Sequence, residues 1–212
     1  MVFFAMKYSS VDLALILAVD VSSSVDQGDY QLQMNGIAAA LRLPAIIDAI
    51  ANGQFGVIAL SLVQWSSRYH QQITLDWTMI KNADEVEKTA KIIEIAPRRW
   101  VPGGTGMAVA IDFCAQQFET LAVKATRRVI DLSGDGEDND GGNPSEARNR
   151  TVTRGITING LPIIGGSTSL QIYFQRNVIG GLGHFLIPAV DIFAFQDAMS
   201  QKLLREVTPN VA

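Results

Sequence analysis

The chain holds a single cysteine, Cys114, in 212 residues. An internal disulfide is therefore excluded, and the redox compartment is left open. Histidine is equally scarce: His70 and His184 stand far apart without companion ligands, and each reads as structural. No apolar run approaches the ~20 residues needed to cross a bilayer. Positive charge is not in excess either, and a net charge of -4 gives no reason to expect nucleic acid, which favours a basic face. The stretch Asp20 to Gly28 lacks Gly-x-Gly-x-x-Gly, and Gly103-Gly104-Thr105-Gly106 follows a loop rather than a strand, so the dinucleotide fingerprint is missing. No nucleophile-elbow motif surrounds any serine. Repeats, low-complexity tracts and linkers are also absent, which leaves one domain over residues 1–212.

What is present is apolar and patterned. Hydrophobic residues make up 48% and charged residues 18%, the balance of a compact globule. The unbroken run Leu13-Ala14-Leu15-Ile16-Leu17-Ala18-Val19 fits a strand buried on both faces, as in a parallel sheet covered by helices. It ends in Asp20-Val21-Ser22-Ser23-Ser24, where Asp20, Ser22 and Ser24 alternate and can lean toward one point. Carboxylate and hydroxyl oxygens are hard donors suited to Mg²⁺ or Mn²⁺. The same residues would serve to cap a following helix.

Downstream, Tyr30, Met34, Ile37 and Leu41 form one helical stripe, and Pro44 to Asn52-Gly53 a second short helix. Phe55 to Gln64 reads as a central strand and Tyr69 to Leu75 as its shorter, antiparallel edge partner. Asn82 with Glu85 opens a helix whose inner face is Val86, Ala90 and Ile93, with Glu87, Lys88, Lys91 and Glu94 toward water. After the loop Pro97 to Gly104, a helix carries Met107, Ile111, Cys114, Phe118 and Leu121 on one stripe, which makes Cys114 a core residue. Val129 to Ser133 is another buried strand. Asp131 inside it is an acid that burial makes costly unless it is paired. The acidic loop Gly134 to Gly142 follows, its Glu137, Asp138 and Asp140 read as solvated, and its acids and glycine miss the offsets of an EF-hand. Asn143, Pro144 and Glu146 then mark a helix start. Ile156 to Ile164 reads as a strand interrupted at Asn159-Gly160, Ser167 to Arg176 as a short helix, His184 to Ile187 as a last strand, and the C-terminal helix turns Ile192, Phe195, Met199 and Leu203 inward. Strands alternating with helices give an α/β, doubly wound, mostly parallel sheet.

Three segments thus present oxygen donors at strand ends or a helix start: Asp20-Val21-Ser22-Ser23-Ser24, Gly104-Thr105 and Ser133-Gly134-Asp135-Gly136. In order and placement they resemble the three parts of the metal-ion-dependent adhesion site of von Willebrand factor A domains, most of all an uncharacterised bacterial branch. The resemblance implies a six-stranded sheet in the order 3-2-1-4-5-6 with one antiparallel edge strand. It implies Asp20, Ser22, Ser24, Thr105 and Asp135 as ligands of Mg²⁺ or Mn²⁺. One departure stands out: the family usually has Thr-Asp-Gly on the third loop, and Gly134 is inserted here before Asp135.

By the same resemblance the protein is a metal-dependent binding domain, not an enzyme, in which the ion accepts an acidic side chain from a protein partner. Export to the periplasm or cell exterior is the location the resemblance suggests. Met1 to Lys7 reads equally as the remnant of a removed signal and as an ordinary chain end. Two alternatives remain open. The acidic run Gly134 to Asp140 also resembles the metal loop of haloacid-dehalogenase-like phosphatases, but their general acid two residues after the first aspartate is here Ser22, a poor proton donor at neutral pH. A structural scaffold with a vestigial metal site is the other.

Overall fold

The strand that everything else packs around is β1, Ser10–Asp20, buried along most of its length. In the computed structural model, which describes residues 8–99 and 103–208, Leu13, Leu15, Leu17 and Val19 enter one core layer, and Ala14, Ile16 and Ala18 the other. The expectations placed on Met1 to Lys7 and on Trp100, Val101 and Pro102 lie outside the described residues. This alternation follows from the twofold period of a strand with helices on both faces. On the first face lie α1 (Gln27–Leu41), α2 (Pro44–Ala51), α3 (Ala83–Glu94) and α7 (Phe195–Val207); on the second lie α4 (Met107–Gln117), α5 (Pro144–Thr153) and α6 (Ser169–Tyr173), which runs into a π-helical turn at Phe174–Val178.

The sheet has the order β3-β2-β1-β4-β5, with β2 (Ile58–Trp65), β3 (Gln71–Ile80), β4 (Lys124–Gly134) and β5 (Thr157–Pro162). Only β3 runs antiparallel, at the edge. The doubly wound α/β class is thus as the pattern indicates, with five strands in place of six. The expected sixth strand, His184 to Ile187, makes only isolated bridges to β5. Gly160 N donates to Phe185 O, and Ile187 N to Gly160 O, but the next donor on β5 would be Pro162, which has no N–H. The ladder therefore breaks before Ala189 resumes it.

Several boundaries shift for local reasons. Phe55 lies outside β2 because the Asp12 carboxylate accepts its N–H at 3.0 Å and Gly56 turns the chain with φ 62°. β3 extends to Ile80, opposite Ile58, past the expected end at Leu75. β5 is not interrupted at Gly160: a Cβ there would lie 2.7 Å from the Phe174 ring, so the residue is a packing necessity within a continuous strand. Ile192 lies before α7, which begins at Phe195. Among the described residues no single helix is long and apolar enough to cross a membrane.

The costly acid in β4 is paired. Lys202 Nζ, on α7, lies 2.8 Å from Asp131 Oδ1 and 2.7 Å from Glu206 Oε1, and Asn159 Nδ2 donates to Glu206 Oε1 at 2.9 Å. All four side chains are buried, and Lys202 also sits over the Phe185 ring. Burial, reinforced by Glu206, pushes the Asp131 carboxyl up against the pull of Lys202. The cluster ties α7 to β4 and β5. Removing one member strands a charge, so Lys202→Met is expected to cost about 3–5 kcal/mol in urea unfolding. Neutralising the whole set (Lys202→Met, Asp131→Asn, Glu206→Gln) is expected to recover most of that loss; a single-variant cost under about 1 kcal/mol would contradict this account.

Candidate metal centre

All three oxygen-bearing segments lie at the carboxyl edge of the parallel strands. Asp20 is the last residue of β1, Gly134 the last of β4, and β1 and β4 are neighbours, so their following loops meet. Asp20 and Ser22 are buried, Ser24 is exposed, Thr105 is buried and Asp135 half-buried. Ser22 N donates to Asp20 Oδ1 at 2.7 Å, the hydroxyls of Ser22 and Ser24 are 3.2 Å apart, and Ser24 Oγ donates to Asp135 Oδ1 at 2.6 Å. Thr105 lies beside the third segment: a Cβ on Gly136 would lie 3.6 Å from Thr105 Oγ1.

The inserted glycine has a steric reason. A Cβ at Gly134 would lie 3.1 Å from Asp20 Oδ2 and 3.4 Å from the Trp65 ring, so glycine lets the end of β4 pass the carboxylate without pressing on either side chain. Asp20 Oδ2 itself is buried with no hydrogen-bond partner among the described residues. Burial, with the nearby negative charge of Asp135 adding to it, pushes the Asp20 carboxyl up to about 7, against the pull of the Ser22 N–H and hydroxyl and, more weakly, of the Asp135 backbone. A buried carboxylate oxygen without a donor is costly, and it points to a cation that would satisfy it.

The acidic loop does more than face water. Asn139 Oδ1 accepts Thr105 N at 2.8 Å while Asn139 N donates back to Thr105 O at 2.9 Å, an amide pair that fixes the second segment. Asp138 Oδ2 accepts Ala108 N at 2.8 Å, capping the first turn of α4, and Asp140 Oδ1 takes Arg68 Nε at 2.7 Å. The reading of Asp138 and Asp140 as solvated is thereby corrected; Glu137 remains exposed. These carboxylates were available to brace the loop because backbone N–H groups and an arginine lie opposite them, which their spacing in sequence does not reveal. On the far side, Gly106 N donates to Ser66 O at 2.5 Å, and a Cβ on Gly106 would sit 2.8 Å from Arg68 N. Gly104-Thr105-Gly106 is thus wedged between the β2–β3 turn and the acidic loop.

The first segment has its own brace. Gln64 Nε2 donates to Tyr30 Oη at 2.9 Å and to Pro97 O at 3.0 Å, its Oε1 accepts Arg99 N at 2.7 Å, and Tyr30 Oη donates to Ala96 O at 2.9 Å. The strap after α3 is so held that Arg98 Nη2 donates to the carbonyls of Val21, Ser22 and Val25. Ser23 Oγ donates to Gly103 O at 2.8 Å, joining the first and second segments directly. Gln64, Arg98 and Asn139 had no motif to mark them. Cys114 is buried in the core, and burial pushes its thiol up, as its helical stripe indicates. His184 Nδ1 pairs with Gly181 O at 2.8 Å, away from this edge.

Among the described residues no group of three His, Cys, Asp or Glu side chains gathers in a way suited to a metal ion. The donors here are two carboxylates and three hydroxyls, a set for a hard cation.

The profile of a family described as "Protein of unknown function (DUF1194)" matches residues 10–211. No curated protein matches the sequence. Among solved structures, the chain is similar to proximal thread matrix protein 1 from the mussel byssus, described with a zinc-occupied metal-ion-dependent adhesion motif: 16% identity, TM-score 0.69, covering 92% of this chain and 48% of that one. The chain therefore spans about half the length of that protein. It is also similar to a von Willebrand factor type A structure from Catenulispora acidiphila (12% identity, TM-score 0.62, 93% of this chain and 43% of that one). A third is an aerotolerance-related membrane protein from Bacteroides fragilis (18% identity, TM-score 0.56, 91% and 99%).

The raised Asp20 group has a testable consequence in metal-free buffer with chelator. Its folded pKa lies above the unfolded value of 3.8, so the native state binds the extra proton. Its favourable contribution is complete below about pH 4 and is lost as pH rises through about 7. Asp20→Asn is expected to raise the melting temperature at pH 8 and to flatten this pH dependence; a lower melting temperature at pH 8 would show that the carboxylate is satisfied by protein groups alone.

Proposed function

The chain belongs to the DUF1194 family and has the von Willebrand factor A fold, and we propose that it is a metal-dependent protein-binding domain whose ligands are Asp20, Ser22, Ser24, Thr105 and Asp135. The observation that carries this reading is the buried, unpartnered Asp20 Oδ2 at a point where donors from three separate segments meet. Asp20 and Asp135 supply about two negative charges, enough to neutralise a dication without overcompensating it. Ser22, Ser24 and Thr105 add neutral oxygen. When bound, Mg²⁺ or Mn²⁺ would supply a Lewis-acidic centre able to take one further carboxylate. The restriction to two acids matters: Asp140 is paired with Arg68 and Asp138 Oδ2 is turned to Ala108 N, so neither is counted among the ligands.

The protein's own residues supply the pre-organisation. Arg98 and Ser23 fix the first segment, Asn139 fixes Thr105, and Gly134 lets Asp135 approach Asp20. Little reordering is then needed on binding, which favours affinity. An acidic side chain of a protein partner is the ligand this charge balance accepts. Export fits the similar structures, which include a pilus adhesin and a byssus matrix protein. The phosphatase alternative gains nothing from the geometry, since Ser22 holds the general-acid position and its hydroxyl lies beside Ser24.

Thermal melting with Mg²⁺, Mn²⁺ and EDTA tests the site: either ion is expected to raise the melting temperature of the wild type, and Asp20→Ala or Asp135→Ala to abolish the rise. Glu137→Gln should leave Mg²⁺ affinity within several-fold. Thr105→Ala removes one neutral ligand, so it should cost about 0.5–1.5 kcal/mol of stability and retain some metal. Partner capture in Mg²⁺ should fall further than that; equal capture by wild type and Thr105→Ala at saturating Mg²⁺ would remove Thr105 from the role. No metal-dependent shift in the wild type would overturn the proposal itself.

A further inference from the structure

At the opposite edge of the sheet, β4 overhangs its neighbour. It begins at Lys124, whereas pairing with β5 begins only at Val129 opposite Thr157. No strand lies beside Thr126, Arg127 and Arg128 on that side. The gap is roofed by the turn at Gly155, the loop at Leu182 to Phe185 and the end of α7, and it leaves a cavity of about 150 Å³. Three arginines line it: Arg127 and Arg128 from β4 and Arg205 from α7. Successive strand residues point to opposite faces, but past the end of β5 both β4 arginines reach the same space.

Among the described residues none of the three is held in an ion pair, although the charges of Glu206 and Asp12 act on Arg127. Arg127 Nη2 donates to the Glu206 carbonyl at 2.8 Å, Arg128 Nη2 to the Arg154 carbonyl, and the Arg205 guanidinium lies 4.0 Å from the Phe185 ring centroid. Among the described residues no carboxylate forms an ion pair with any of them. Glu206 also lines the cavity, but its Oε1 is already engaged by Lys202 and Asn159. Nearby Arg154 is held by Glu119 at 2.7 Å, so the contrast with the three lining arginines is local.

We propose that this cavity binds a small oxyanion, a phosphate or short carboxylate group, gripped by Arg127, Arg128 and Arg205. Guanidinium forks match either anion with paired, charge-assisted hydrogen bonds. Each fork is already aimed by a contact that uses only part of its donors: a carbonyl for Arg127 and Arg128, an aromatic face for Arg205. Burial also holds Arg127 below its ordinary pKa, a sign of lost hydration that a bound anion would offset.

The site is independent of the metal proposal, and calorimetry in EDTA keeps the two apart. Wild-type protein is titrated with inorganic phosphate, with succinate and with chloride at matched ionic strength, alongside thermal melting. Saturable binding and a raised melting temperature with phosphate or with succinate are expected, and whichever anion binds identifies the group preferred. Arg205→Gln, on an exposed side chain, and Arg128→Gln are each expected to weaken binding by about ten-fold. Arg205→Gln is the deciding variant should Arg128→Gln fail to fold, as circular dichroism will show. Absence of saturation with both anions, or binding unchanged in Arg205→Gln, would overturn the proposal.

Discussion

The carboxylate of Asp20 is the constraint on which this end of the molecule depends. It terminates the central strand of the sheet, where it is fully buried, and one of its oxygens has no hydrogen-bond partner among the described residues. An acid in that position is held there by the fold at a cost, since burial favours its protonated form. Around it the chain dispenses with side chains or donates neutral oxygens: Gly134 clears the approach of β4, and Ser22, Ser24 and Thr105 bring hydroxyls. Strain of this kind is maintained where the surrounding structure over-determines it.

That over-determination is visible in the braces. Gln64 and Tyr30 lock the strap that carries Arg98, and Arg98 locks the carbonyls of the first segment. Asn139 locks the second, and Asp138 and Asp140 are consumed in holding the acidic loop in place. Each bond is ordinary; together they leave the donor set little freedom to rearrange, which is how a site on loops attains the rigidity of one on regular elements.

The carboxyl edge gathers Asp20 and Asp135, while the amino edge gathers Arg127, Arg128 and Arg205 around a cavity. Between them the buried Lys202–Asp131–Glu206 cluster fastens α7 across β4 and β5. Buried charges of this type specify position more than they stabilise, because desolvation consumes much of their attraction. Here they fix the helix whose end, at Arg205, completes the cavity.

The sequence by itself determined the layering and the donor segments. The run Leu13 to Val19 fits a strand covered on both faces, the stripes of Tyr30–Leu41 and Val86–Ile93 fit helices laid on it, and a strand ending in Asp-x-Ser-x-Ser puts its donors at the carboxyl edge. These follow from local periodicity, which one segment reveals alone. Tertiary structure decided the rest, because each remaining point depends on a group distant in the chain. Pro162 breaks the sixth strand only when His184 to Ala189 lies beside it. Asp131 is tolerable only because Lys202 arrives from α7. Asp138 and Asn139 become braces only where Ala108 and Thr105 present their N–H groups, and the space that Gly134 leaves matters only because Asp20 Oδ2 would stand 3.1 Å from a Cβ there. Pairing across such distances leaves no period in the sequence, so the chemistry of the donors was legible and the means of holding them was not.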